Sequence, residues 1–175
     1  MLSPSPLLIE YLHLFTAKNV PGPVLDLACG ECHNGILVAQ KNLEVICCDR
    51  AAERLREAER VAAEFRLEIS TWEIDLEIPG LHPLPKDTYG AILAFRYLHR
   101  PLIPLMKDAL RQRGILIYET FTAAQARFGR PYNPDHVLQE GELLKCFEDW
   151  EIIHYFEGIL EEPMRAMAQI VARKP

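Results

Sequence analysis

The sequence predicts an α/β fold: one doubly wound domain over residues 1–175, with a mostly parallel seven-stranded sheet that ends in a C-terminal antiparallel hairpin. Short apolar runs alternate with amphipathic stretches, which implies right-handed crossovers between parallel strands. The ending differs, because the strand-like runs 150–156 and 164–172 are separated by too few residues for a helix and should pair antiparallel. At 175 residues the chain has little room for a second domain.

The individual elements follow from apolar periodicity and from turn residues. A short helix within residues 1–20, with Ser5 as N-cap and Pro6 at its first position, is expected to pack on the sheet. Further helices are expected at 36–41, 51–65 and 101–114, the last ending at Gly114. The parallel strands are expected at 24–28, 43–48, 67–72, 89–95 and 115–118. The segment 122–140 is long enough to form a lid over a site.

Composition argues against several classes of protein. The chain is 49% hydrophobic and 25% charged, which is typical of a globular domain. Its net charge of -6 argues against a surface that binds nucleic acid, because phosphate binding is largely electrostatic. No apolar run approaches the roughly 18–20 residues of a membrane span, and the first basic residue is Lys18, which argues against a signal peptide. We therefore expect a cytoplasmic protein with no membrane partner.

The five cysteines are an odd number, and we expect reduced thiols rather than a disulfide scaffold. Cys29 and Cys32 have the spacing of a thioredoxin-like redox pair at the start of a helix, but that function is disfavoured because the preceding strand carries Asp26. A zinc site would need further ligands. Since Cys47 and Cys48 should point to opposite faces of a strand, no metal site is predicted.

Polar residues follow the successive strands of the predicted sheet. Asp26 and Gly30 belong to the first strand and its turn, Asp49 ends the second, and Asp75 lies just past the third. In such sheets ligands bind outside the carboxyl ends of the strands, where the strand order reverses. The nineteen residues from Gly30 to Asp49 match the usual distance from a glycine-rich loop to an acid that binds a ribose. The pattern predicts a nucleoside site, although Asp49 alone is equally typical of a helix cap.

Residues 24–35, VLDLACGECHNG, resemble the first motif of class I S-adenosylmethionine-dependent methyltransferases, and this resemblance extends over nearly the whole chain. The Rossmann-like domain of that class also ends in an antiparallel hairpin. Residues 127–134, RFGRPYNP, and 141–144, GELL, are similar to small bacterial enzymes grouped with the tellurite-resistance methyltransferases. The resemblance implies transfer of a methyl group to a small-molecule acceptor by in-line displacement.

The cofactor implied by the resemblance is S-adenosyl-L-methionine, whose positive sulfur and ammonium suit an acidic pocket. Asp49 would hold its ribose hydroxyls, Asp75 would contact its adenine, and Asp26 would lie beside its methionine end. The residues implied to bind or surround it are Asp26, Ala28, Cys29, Gly30, Asp49, Arg50, Asp75, Leu76, Ala94 and Phe95.

Two positions depart from the motif, because Ala28 and Cys32 stand where glycine is common. Alanine is expected to be a mild change, whereas cysteine would be strained if its φ must be positive. The alternative function is therefore a nucleoside- or S-adenosylmethionine-binding domain of the same fold with weak or no catalysis. An NAD-dependent oxidoreductase is less well supported, because a full G-x-G-x-x-G is absent.

The acceptor side is less defined by the sequence. The candidate catalytic residues are Tyr97, His99 and Glu119, each near a predicted strand end and each with a purely structural alternative. A general base is needed only if the acceptor must lose a proton. Within 122–140, three residues are expected either to grip an anionic acceptor or to anchor the loop: Arg127, Arg130 and Tyr132.

Overall fold

A computed structural model describes residues 3–81 and 83–175. Seven strands form one sheet in the order β3-β2-β1-β4-β5-β7-β6, in which β7 runs antiparallel to both of its neighbours. The predicted fold class is confirmed. The strands are β1 (Val24–Leu27), β2 (Val45–Asp49), β3 (Ser70–Glu73), β4 (Tyr89–Phe95), β5 (Leu110–Phe121), β6 (Glu151–Glu161) and β7 (Met164–Arg173). The helices are α1 (Pro6–Tyr11), α2 (His33–Ala39), α3 (Ala52–Glu64), α4 (Leu102–Ala109) and α5 (Glu142–Cys146).

Helices cover both faces of the sheet, so the central strands read as continuous apolar runs. One buried cluster packs α4 and α5 against the sheet and includes Met106 and Phe147. The other packs the N-terminal segment, α2 and α3 against the opposite face and includes Leu8 and Leu55. Among the described residues no helix combines the length and the apolar character needed to cross a membrane.

The ends of several elements differ from the sequence prediction. Helix α4 ends at Ala109 instead of Gly114, and β5 begins directly after it. Gly114 lies inside β5, where a Cβ atom would come within 2.7 Å of the Leu110 side chain, so this glycine permits close packing and ends no helix. Ser5 is the N-cap of α1, but its side chain makes no capping bond; its backbone N–H donates to Asn34 Oδ1 at 2.8 Å.

The strand order reverses at β1, which pairs with β2 on one side and with β4 on the other. Chain segments leaving β1 and β4 therefore separate, and a crevice opens between them at the carboxyl ends of the strands. Asp26 lies in register with Cys47 of β2 and Leu93 of β4. The topology thus places the residues that follow β1, β2, β3 and β4 around one crevice.

Candidate active site

A cavity of about 540 Å³ lies at these strand ends, within the roughly 300–1,000 Å³ of small-molecule sites. Half of the ten residues expected to surround a cofactor line it: Ala28, Asp49, Arg50, Asp75 and Leu76. The other five do not line it: Asp26, Cys29, Gly30, Ala94 and Phe95. Ala94 is wholly buried in the sheet, and Phe95 packs against the face that carries α2 and α3.

Asp49 ends β2 and holds the turn after β1 in place. Its Oδ2 accepts a hydrogen bond from the Gly30 N–H at 2.8 Å, and its Oδ1 accepts one from the Ala51 N–H at 2.9 Å. The N-cap of α3 is Ala51 and no side chain caps this helix, so Asp49 is not the helix cap that the sequence left open. Asp49 lies on the cavity wall. Since each carboxylate oxygen has two lone pairs, Asp49 retains acceptor capacity for a ligand hydroxyl.

Asp26 lies beneath the turn and is 1% exposed. Burial raises the pKa of its carboxyl to about 7; the hydrogen bond from the Gly35 N–H at 2.8 Å acts against this shift, and the nearby charge of Asp49 adds to it. A positive ligand near this carboxyl would stabilise its ionised form. Asp26 therefore acts on the site through its charge and through its support of the first turn of α2.

The turn after β1 has left-handed backbone at three positions: φ is 52° at Ala28, 58° at Gly30 and 56° at Cys32. The expected strain at Cys32 is confirmed, because a side chain in this region clashes with its own backbone. Ala28 is held in the same region, so the backbone strain expected at Cys32 is present at both positions.

The cysteines are arranged differently from the prediction. Cys32 and Cys47 form a disulfide, whereas reduced thiols, with Cys29–Cys32 as the alternative pair, were expected. Cys47 and Cys48 do point to opposite faces, and burial raises the pKa of the Cys48 thiol to about 12. No metal site was predicted, because Cys48 points to the other face of the sheet. Cys47 nevertheless reaches Cys29 and Cys32 without Cys48: the three sulfur atoms lie within 4.8 Å of one another.

Asp75, Glu77 and Tyr97 lie together on the cavity wall, where Asp75 Oδ1 accepts a hydrogen bond from the Glu77 N–H at 2.9 Å. The Tyr97 hydroxyl is buried and has no hydrogen-bond partner within the described residues. Burial, followed by the charges of Glu77 and Asp75, raises the pKa of Tyr97. Tyr97 consequently offers a ligand a hydrogen-bond donor and is a poor source of phenolate.

The other two catalytic candidates do not line this cavity. His99 lines a smaller neighbouring cavity that shares Leu76 and Glu77 with the first. Glu119 is 3% exposed, and its Oε2 accepts a hydrogen bond from Gln169 Nε2 at 2.6 Å. Neither residue lines the main cavity, and a catalytic role for either stays a prediction.

The wall opposite the acids comes from the ends of β4 and β5 and from the segment 122–140. It is formed by Arg96, Phe121, Arg130, Pro131 and His136. Phe121 and His136 were not predicted from the sequence, nor was Arg54, which lies in the first turn of α3 on the acid side. Phe121 was detectable from its place at a strand end, whereas nothing in the spacing of the loop indicates His136.

Segment 122–140 is anchored at two points that the sequence did not reveal. The Arg100 guanidinium binds the Glu142 carboxylate, with its Nε at 2.6 Å, and donates to the Val137 carbonyl at 2.8 Å. Gln125 donates to the Arg130 carbonyl at 3.1 Å and accepts from the Ala166 N–H at 2.9 Å.

The three loop residues named from the sequence therefore have different positions. Arg127 stacks on Phe128, with its guanidinium carbon 5.6 Å from the ring centroid, and Tyr132 is 64% exposed. Arg130 alone lines the cavity.

Comparisons with known proteins agree with this architecture. A family model described as tellurite resistance protein TehB matches residues 15–165. A probable S-adenosyl-L-methionine-dependent methyltransferase TehB of Haemophilus influenzae is 24% identical over 147 residues, which are 81% of this chain and 50% of that protein. The crystal structure of TehB from Haemophilus influenzae superposes with a TM-score of 0.73 at 23% identity, covering 91% of this chain and 60% of that one.

A second solved structure, of a methyltransferase from Methanosarcina mazei described as SAM-dependent, has a TM-score of 0.73 at 17% identity and covers 99% of both chains. These structural matches establish the fold. The chain spans about half the length of the curated TehB proteins that it matches. The cofactor expected from the sequence, S-adenosyl-L-methionine, is the one in the name of those relatives.

Proposed function

Because the chain belongs to the TehB family of tellurite resistance proteins, we propose that it is an S-adenosyl-L-methionine-dependent methyltransferase that acts on a small, anionic acceptor. The observation that carries the proposal is one cavity whose cofactor side has both acids and arginines, Asp49 and Asp75 with Arg50 and Arg54. The other side has two arginines, Arg96 and Arg130, and no acid among the described lining residues. A net charge of -6 supports a small acceptor over a nucleic acid.

The residues of the acid side suit this cofactor. Asp49 retains acceptor capacity for ribose hydroxyls, while the unpartnered Tyr97 hydroxyl and Asp75 offer a donor and an acceptor to a purine. Arg54 lies close to Gly30, since its Nη1 would be 3.7 Å from a Cβ atom at that position. A guanidinium there suits the carboxylate at the methionine end.

The bound cofactor would supply a methyl group activated by positive sulfur. The contribution of the chain is to align an acceptor behind that methyl group and to keep water away, so positioning and desolvation dominate. The anchored segment 122–140 supplies Arg130, Pro131 and His136 to the cavity wall. The raised pKa of Tyr97 argues against this residue as a general base.

The anionic character of the acceptor rests on Arg96 and Arg130. Arg96 adopts φ of 56° directly after β4, and its backbone N–H donates to the Glu119 carbonyl at 2.7 Å. Left-handed backbone at a bulky residue costs free energy and is concentrated at functional sites. We infer that this conformation is retained because it directs the Arg96 side chain toward the acceptor.

The test is methyl transfer from S-adenosyl-L-methionine to a panel of carboxylate, phosphate and oxyanion acceptors, compared with neutral molecules of similar size. Turnover limited to anions would support the proposal. Turnover limited to neutral acceptors would contradict the anionic acceptor while leaving the methyltransferase intact.

A second candidate function is cofactor binding without catalysis. It is favoured by the left-handed backbone of Ala28 and Cys32, which strains the turn after β1. This candidate predicts a measurable dissociation constant for S-adenosyl-L-methionine and no turnover with any acceptor of the panel. Transfer to a single acceptor would eliminate it.

A further inference from the structure

Three cysteine sulfur atoms, those of Cys29, Cys32 and Cys47, lie close together at the turn after β1. Cys32 and Cys47 are wholly buried and paired, with a Cα–Cα distance of 6.1 Å, which is inside the range of roughly 4.4–6.8 Å for disulfides. Gly35 leaves room for them, because a Cβ atom there would come within 2.5 Å of Cys32 Sγ and 3.0 Å of Cys47 Sγ. The pair therefore occupies a space that a side chain at position 35 would fill.

The pair connects the two segments that carry the cofactor site. Cys32 is the N-cap of α2 and ends the left-handed turn, whereas Cys47 lies in β2 two residues before Asp49. Asp49 in turn accepts the hydrogen bond from the Gly30 N–H. A covalent bond between Cys32 and Cys47 thus restricts the turn relative to the strand that positions Asp49.

Cys29 connects this pair with solvent. It is half-buried, its sulfur lies within 4.8 Å of both other sulfur atoms, and its carbonyl accepts a hydrogen bond from the Cys32 N–H at 3.0 Å. Burial and the nearby Asp26 raise the pKa of the Cys29 thiol, so its thiolate is scarce at neutral pH. Exchange through Cys29 should therefore be slow.

We propose that Cys29, Cys32 and Cys47 form a thiol–disulfide exchange site that controls cofactor affinity: the Cys32–Cys47 disulfide holds the loop in its binding conformation, and reduction releases it. This inference rests on the proposed cofactor site. The physical reason is that the disulfide opposes relaxation of Cys32 from its left-handed conformation.

Oxidation uses a small disulfide such as oxidised glutathione. The Cys29 thiolate attacks one of its sulfurs, the S–S bond breaks, and one glutathione thiolate leaves and takes up a proton. The Cys32 thiolate then displaces the second glutathione from Cys29, and the Cys47 thiolate attacks Cys32 and regenerates the Cys29 thiol. In total two thiols are oxidised, one small disulfide is reduced to two thiols, and two protons pass to the products.

The first experiment measures S-adenosylhomocysteine binding to the oxidised and the fully reduced native protein by calorimetry. We expect reduction to weaken binding about fivefold to tenfold, at the lower end of the range for coupled sites. Cys146→Ala should retain this response, because Cys146 lies in α5 on the other face of the sheet. Cys47→Ala should bind like the reduced protein in either condition.

The outcomes are separable. Equal affinity in both redox states, or tighter binding after reduction, would overturn the exchange site as a control element. Absence of binding in both states would overturn the proposed function together with it. The comparison within the native protein stands even if Cys47→Ala does not fold.

The second experiment follows the chemistry without the cofactor, by alkylation and peptide mass spectrometry during exposure to oxidised glutathione. Cys29→Ala should slow formation of the Cys32–Cys47 disulfide about tenfold or more, because direct attack on a buried thiol lacks access, and should leave its final extent unchanged. An unchanged rate would overturn the role of Cys29. Stoichiometric protection of all three thiols by Zn²⁺ under oxidising conditions would assign a metal site and overturn the redox assignment.

Discussion

The two walls of the cavity are built in different ways. The acid wall follows directly from strands β1, β2 and β3, with Asp49 at a strand end and Asp75 two residues beyond the next one. The arginine wall combines Arg96 after β4 with Arg130 and His136 from a segment held by distant contacts. The acid wall is positioned by the sheet, whereas the arginine wall depends on an anchored loop. Mutations in the acid wall should therefore affect cofactor binding, and mutations in the arginine wall should affect use of the acceptor.

The largest expected effect is on the acid wall. Asp49→Ala should weaken S-adenosylhomocysteine binding about 100-fold, because it removes an ionised acceptor for ribose hydroxyls, and hydrogen bonds to charged groups contribute about 1.5–3 kcal/mol each. Isothermal titration calorimetry gives the dissociation constant. Asp49→Asn, which keeps one oxygen for the Ala51 N–H, should have an affinity between those of the native protein and Asp49→Ala. Near-native affinity for Asp49→Ala would mean that Asp49 only holds the backbone at Gly30 and Ala51.

The next largest effect should appear on the arginine wall. Arg130→Ala is expected to lower kcat/KM for an anionic acceptor about 10- to 100-fold through loss of a charge-assisted hydrogen bond. Cofactor affinity should stay within about twofold of native, since the proposed cofactor contacts are made by the acid wall. Arg127→Ala is the matched control, because Arg127 belongs to the same segment but stacks on Phe128. Parallel losses in both variants would show that the loop, and not the Arg130 charge, matters.

A smaller effect is expected in the pH dependence of cofactor binding. The pKa of Asp26 is raised to about 7, so its carboxyl is mostly neutral at pH 6 and mostly ionised at pH 8. The positive cofactor favours the ionised form, and binding of S-adenosyl-L-methionine without acceptor should tighten about tenfold over this range. Asp26→Asn should remove this dependence. A pH profile that survives in Asp26→Asn would show that Asp26 is not the titrating group.

The smallest effect concerns backbone strain. Ala28→Gly should raise the free energy of unfolding by at most about 1 kcal/mol, because glycine adopts positive φ without a clash but gains entropy in the unfolded chain. Arg66→Gly is a matched control with φ of 56° outside the cavity. Urea unfolding should give similar gains for both. Destabilisation of Ala28→Gly alone would mean that the Ala28 methyl group contributes packing that outweighs its strain.

The sequence predicted the acid wall better than the arginine wall for a physical reason. Parallel strands place their carboxyl ends at one edge of the sheet, so residues such as Asp49 and Asp75 can be assigned from strand order alone. The parallel part of the fold followed from the alternation of strands and helices, and the final hairpin followed from the short connection between its two strands. Element ends were less predictable: Gly114 resembles a helix terminator in the sequence but serves close packing within β5.

The arginine wall depends on tertiary contacts that no local pattern encodes. Arg100 reaches the Val137 carbonyl and the Glu142 carboxylate, about forty residues away, and these bonds determine where the loop lies. His136 consequently enters the cavity while Tyr132, four residues earlier, remains exposed. The Cys32–Cys47 pair was missed for a similar reason, because it depends on the register of β2 beside β1.

Calorimetric titration of the oxidised native protein with S-adenosylhomocysteine shows whether the carboxyl ends of strands β1 to β3 form a site for S-adenosyl-L-methionine. We expect saturable binding of one molecule per chain. Absence of binding even at millimolar ligand would contradict it.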